Sequence, residues 1–208
     1  MLDRLRARVA ALPSAVASRI TPLEADLRTF EAPGERFALV VAAFNVLEHL
    51  YTRGEVDACL RRVADHLAPG GAFVFDVQLP DLAWLARDSS KRWAKTRFTD
   101  PTTQRSMFYS TNHDYDPVSQ IVLIRLYYDP VDGRGPGHVI SLSQRKFFPA
   151  ELEALVDHAG LRVTERFGDF SFGPLVGTAE SQVLVCETRG SPAVRQSSTR
   201  KTRLSSRI

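Results

Sequence analysis

The sequence predicts an α/β fold built on a parallel sheet and extended by an antiparallel β meander, and three observations carry that prediction. Residues 37–44 form an unbroken apolar run of strand length, the pattern of a parallel strand covered by helices on both faces. Val56, Leu60, Val63 and Leu67 then recur at helical spacing with Arg61, Arg62 and Asp65 opposite, and Pro69-Gly70-Gly71 stops the helix before a second apolar strand over 72–77. That is one parallel crossover unit. From Arg105 the texture changes: runs over 106–115, 121–128 and 139–147 are separated by turn-forming residues, which predicts a three-stranded antiparallel meander.

The elements follow in order. Leu2, Leu5, Val9 and Leu12 recur at helical spacing with Arg4, Arg6 and Arg8 outside the stripe, and Pro13 ends that helix. Residues 17–23 are a candidate short strand interrupted by Pro22. Residues 80–85 (PDLAWL) read as a short helix with Trp84 as core or pocket wall. Pro149 suits the first position of a helix, Glu151 and Glu153 suit its positive end, and Leu152, Leu155, Val156 and Ala159 form its buried stripe before Gly160. Residues 161–168 and 181–187 read as a closing antiparallel hairpin.

Composition sets the frame. The 208 residues suffice for one well-buried domain, expected over 1–190 with the meander inserted at about 104–147. The net charge of +3 arises in residues 191–208, which hold Arg195, Arg200, Lys201, Arg203 and Arg207 and no acid, so the preceding 190 residues carry −2. This segment is expected to be a disordered basic tail, with an anionic partner as the minority reading, and the domain itself is not expected to bind nucleic acid. Cys59 and Cys186 sit in apolar contexts and read as free core thiols. The five histidines have no spacing that would build a metal site. No apolar run is long enough to span a membrane, so no membrane partner and a cytoplasmic location are expected.

Residues 37–50 (FALVVAAFNVLEHL), followed by a helix and by 67–76 (LAPGGAFVFD), resemble class I S-adenosylmethionine (SAM) dependent methyltransferases, and residues 145–161 with 167–170 (FGDF) are similar to the C-terminal third of many small-molecule members. The resemblance implies a Rossmann-like methyltransferase sheet, SAM as cofactor and methyl transfer to a small-molecule acceptor. It implies SAM contacts at Asp26 and Leu27 on the adenine side and at Phe44 and Asn45 on the methionine side, His49 as a base or orienting group, and Tyr128 and Arg145 of the meander as acceptor contacts. Asp26 is equally consistent with a surface-loop acid. His49 is equally consistent with local packing. A homodimer through the inserted sheet is an expected arrangement of such proteins.

The pattern also departs from the family. No acidic glycine-rich loop precedes Phe37, so the backbone cradle and the acid that holds the ribose hydroxyls are missing. Against a family sheet order 3-2-1-4-5-7-6, strands one and two are expected to be absent. The sequence-level expectation is that Met1 is an internal methionine of a longer frame, or that the chain is a degraded copy, with a shortened fold as a third reading. Activity of the chain as given is then expected to be impaired, and the alternative function is a non-catalytic fold remnant acting as an interaction protein.

Overall fold

A computed structural model describes residues 2–32 and 34–190, and the expected tail over 191–208 lies outside the described residues. The elements are α1 (Leu2–Ala10), α2 (Ser14–Ala17), β1 (Phe37–Ala42), a 3-10 turn (Val46–His49), α3 (Arg53–His66), β2 (Leu67–Gln78), α4 (Leu82–Leu85), β3 (Trp93–Thr99), β4 (Ser106–Asp116), β5 (Ile121–Pro130), β6 (His138–Arg145), α5 (Pro149–His158), β7 (Leu161–Phe167) and β8 (Ser181–Thr188). They form two four-stranded sheets, β1-β2-β8-β7 and β3-β4-β5-β6.

The crossover unit is present. β1 and β2 pair in parallel through α3, with Val40 beside Phe73 and Ala42 beside Phe75. These side chains share one sheet face with Leu184 and Cys186 of β8, and they pack with Val56, Leu60 and Val63 of α3 and Leu152 and Val156 of α5. The helix begins where the sequence can satisfy its free N–H groups: the Thr52 hydroxyl accepts from the Glu55 N–H, and the Glu55 carboxylate accepts from the Thr52 N–H. Thr52→Ala is expected to lower stability by about 1 kcal/mol in urea denaturation. An unchanged midpoint would show that the box does not hold the helix start.

Between α3 and the straight part of β2 the chain passes close under β1. A Cβ on Gly71 would lie 2.7 Å from the Phe37 carbonyl oxygen and 3.0 Å from that of Ala68, so only glycine fits that approach. Gly70 beside it takes φ +75°, which also favours glycine.

Three sequence expectations are corrected. First, β1 is not covered on both faces: Leu39 and Val41 are 56% and 58% exposed. β1 is the edge of its sheet, and α1 and α2 contribute no buried residue, so among the described residues no helix lies over that face. Second, residues 17–23 form no strand. Pro22 offers no N–H to a ladder, and β1 has no second neighbour with which such a strand could pair. Third, the meander has four strands rather than three, because residues 93–99 add β3 to the edge of β4.

The meander lies against the carboxyl end of the first sheet. β6 packs on the 3-10 turn and α4 on β4. Tyr51 Oη donates to the Ser143 carbonyl at 3.2 Å, and the Trp84 ring stacks on His113 with centroids 3.7 Å apart.

Candidate functional site

Ligands of open parallel sheets bind beyond the carboxyl ends of the strands. Here those ends are the Phe44–His49 exit from β1 and the Asp76–Gln78 end of β2, with the meander as a wall. Phe44 and Asn45 both take left-handed backbone, φ 63° and 57°, a conformation few non-glycine residues hold. It turns the chain abruptly out of β1, leaves the Phe44 side chain 92% exposed and aims the Asn45 N–H at Asp76 Oδ2, 3.2 Å away. Asp76 Oδ1 and Asn45 Oδ1 are buried and have no hydrogen-bond partner.

One turn further on is a buried ionic cluster. The Lys146 ammonium, 2% exposed, donates to Glu48 Oε2 at 2.7 Å, to Gln144 Oε1 at 3.2 Å and to Gln78 Oε1. Glu48 is fully buried, and its second oxygen accepts from the Gln78 N–H at 2.7 Å. Gln182 Nε2 adds bonds to the Phe147 and Gln78 carbonyls. Burial pushes the Glu48 carboxyl above its usual range and the Lys146 ammonium below its own, each against the opposing pull of the partner. All three ammonium hydrogens are used, so Lys146 has none left for a ligand. The cluster instead joins the β1 exit, the end of β2 and the end of β6. It forms part of the floor of a cleft of about 820 Å³ walled by residues 79–85 and 177–180.

The expected site residues are distributed as follows. Asn45 meets Asp76 at the carboxyl ends of β1 and β2, and Phe44 beside it is exposed. Asp26 and Leu27 stand on the loop before β1. Arg28 next to them bridges to Glu55 in the first turn of α3, which sets the loop at the same end of the sheet. Leu27 packs against the core, and the Asp26 carboxylate is held by Arg28 through both its oxygens. That guanidinium lowers the Asp26 pKa to about 2.

His49 is exposed, whereas its neighbour Glu48 is the buried group. Arg145 is nearly buried and spends its guanidinium on Glu151, Gln120 and the Tyr51 carbonyl. Tyr128 stacks on His138 at 4.7 Å beside Tyr109 and Phe98, an aromatic cluster on the sheet face that also carries His113 and Gln144. Glu48 and Lys146 were not singled out from sequence, and Asp76 and Gln78 were expected only as the carboxyl end of the second strand. The available signal was charge or amide placed inside otherwise apolar segments, as in Leu47-Glu48 and Lys146-Phe147.

Among the described residues no group of His, Cys, Asp and Glu is arranged to hold a metal ion. No described helix is long and apolar enough to cross a membrane.

A family model described as a methyltransferase domain matches residues 1–71. The structure is similar to the CcbJ methyltransferase from Streptomyces caelestis, with a TM-score of 0.74 and 25% identity, covering 90% of this chain and 70% of that one. It is similar in fold to the glycopeptide N-methyltransferase MtfA complexed with SAM, with a TM-score of 0.60, 19% identity, and coverage of 91% and 68%. A SAM-dependent methyltransferase from Clostridium acetobutylicum gives a TM-score of 0.63 at 14% identity, covering 83% and 67%. A search of curated proteins finds no match. In its fold and in the family model over residues 1–71, the chain resembles SAM-dependent methyltransferases of the class I, small-molecule-like kind. S-adenosylmethionine is the cofactor of that class.

The residues present fit part of that cofactor. The unpartnered oxygens of Asn45 and Asp76 and the exposed Phe44 ring offer acceptors and an apolar surface. No glycine stands before Gly34, so the described chain offers no glycine turn on which a backbone could approach the ribose closely.

Proposed function

We propose that this chain transfers a methyl group from SAM to a small-molecule acceptor held between the carboxyl ends of β1 and β2 and the meander. The observation that carries the reading is the convergence of the β1 exit, the β2 end and the end of β6 on the Glu48–Lys146 cluster, beside a cleft lined by Gln78, Lys146 and residues 79–85 and 177–180. SAM supplies the electrophilic methyl group. The chain's part is to hold the acceptor in line with it and to exclude water, with a base required only if the acceptor must lose a proton. Phe44, Asn45, Asp26 and Leu27 flank the cofactor end in this reading. His49 is the exposed candidate base at the rim, Tyr128 faces the acceptor, and Arg145 shapes the wall through its bonds to Glu151 and Tyr51. A small acceptor is also supported by the neighbour CalS10, described as an amino pentose methyltransferase from Micromonospora echinaspora.

The same reading makes cofactor binding by the chain as given weak, because Asp26 is occupied by Arg28 and no glycine cradle is present. Calorimetry with SAM is expected to give a dissociation constant weaker than about 0.1 mM, less than about 5.5 kcal/mol of binding free energy. Micromolar affinity would overturn the impairment and imply a different cradle. A methyl-transfer screen with small amines, acids and hydroxyl compounds tests the function itself, and a panel without any methylated product despite SAM binding would refute it.

One observation favours a second reading. The open face of β1, with Leu39 and Val41 more than half exposed, is the kind of apolar surface that binds a partner, so the chain would then be an interaction protein that keeps the fold.

A further inference from the structure

Asp76 stands out among the buried polar groups. It is 4% exposed, and its one hydrogen bond comes from the Asn45 N–H to Oδ2. Its Oδ1 and the neighbouring Asn45 Oδ1 are both buried acceptors without a donor. Among the described residues no Lys, Arg or His pairs with this carboxylate, in contrast to buried Glu48, which has Lys146. Two acceptors cannot satisfy one another, and a buried carboxylate without a cation is costly. A group that carries a positive charge and at least two N–H donors would resolve both deficits and also compensate the carboxylate.

We propose that Asp76 and Asn45 form a binding site for an alkylammonium group, with Phe44 as the surface for its alkyl part. The inference rests on the small-molecule reading above and narrows it. Both oxygens are covered in the free protein. The Phe44–Asn45 turn gives Asp76 its one hydrogen bond and holds two left-handed residues, so displacement of that turn relaxes backbone strain and frees Oδ2. The exposed Phe44 ring on the same turn offers a cation–π surface to a bound ammonium, which a neutral ligand would not use. Either the amine of an acceptor or the α-ammonium of the cofactor has the required chemistry.

The test titrates the full chain with propylamine and with propanol, following amide signals of Phe44, Asn45 and Asp76 by NMR. Saturable propylamine binding at least tenfold tighter than propanol is expected, and Asp76→Asn, nearly isosteric, should remove that preference while leaving propanol unchanged. Asn45→Leu should weaken propylamine in the same direction. S-adenosylhomocysteine (SAH) and its deamino analogue identify the source. Competition by SAH alone assigns the site to the cofactor's ammonium, and SAH binding alongside propylamine assigns it to the acceptor. Equal affinities for propylamine and propanol, or an unchanged preference in Asp76→Asn, would overturn the proposal. Amine binding without any SAH binding would leave this site standing while counting against the methyl-transfer reading. SAH binding with no amine preference would do the reverse.

Discussion

Replacing Lys146 by alanine is expected to lower the unfolding free energy by about 3–5 kcal/mol, the cost of leaving a buried charge without its partner. Glu48 has no exposed surface, and Lys146 is the cation that compensates it. The same ammonium satisfies the side-chain oxygens of Gln78 and Gln144, so its loss also leaves amide acceptors unpaired. Pairing Lys146→Met with Glu48→Gln should recover much of the loss. The glutamine can still accept from the Gln78 N–H, and no uncompensated charge remains. Urea denaturation of the two variants measures the difference. If the double variant were no more stable than Lys146→Ala, the loss would lie in packing or amide bonding rather than in the charge.

Phe75→Ala should cost about 3–5 kcal/mol for a different reason. Phe75 is almost wholly buried on β2, stacks on Phe73 with centroids 4.9 Å apart, and lies on the face that receives α3 and α5. Removing the ring leaves a cavity between the sheet and both helices that neighbouring side chains fill only in part. Phe75→Leu should cost distinctly less, since most of the volume is kept. Equal losses for the two variants would point to a specific aromatic contact rather than cavity formation. Because Asp76 and Gln78 continue the same strand, the alanine variant should also loosen the site, which amide exchange at Gln78 would register.

Much of the scaffold was legible in the sequence because it depends on local patterns. The helical stripe of Val56, Leu60 and Val63 and the Pro149 start each act within a few residues, and α3 and α5 form where these signals lie. But α3 ends at His66 rather than at Pro69-Gly70-Gly71, and Leu67, expected in its stripe, opens β2. Strand existence was legible in residues 37–44, but burial was not. Whether Leu39 and Val41 are covered depends on what packs there, and no described helix does. The segment WAKTRFT escaped notice as a strand because Lys95 and Arg97 break its apolar pattern, and pairing with β4 supplies what propensity does not.

The chemistry of the site was the least legible part. Lys146 reaches Glu48 across 98 residues and Gln78 across 68, separations at which no sequence pattern marks a contact. His49 drew attention because imidazole titrates near neutrality, yet the turn Val46–His49 directs Glu48 inward and leaves His49 outside. Arg145 was expected as an acceptor contact, and three polar partners compete for its guanidinium and make it a brace between β6, the β1 exit and α5.

The cofactor end is proposed to lie at the carboxyl ends of β1 and β2, and amide chemical-shift mapping with SAH at high concentration tests that placement most directly. The expected result is a set of shifts at Phe44, Asn45, Asp76 and Gln78, weakly saturating, with the outer face of the meander at Asp114 and Arg125 unmoved. Shifts confined to the meander or to the exposed face at Leu39 and Val41, or no shifts at any concentration, would contradict it.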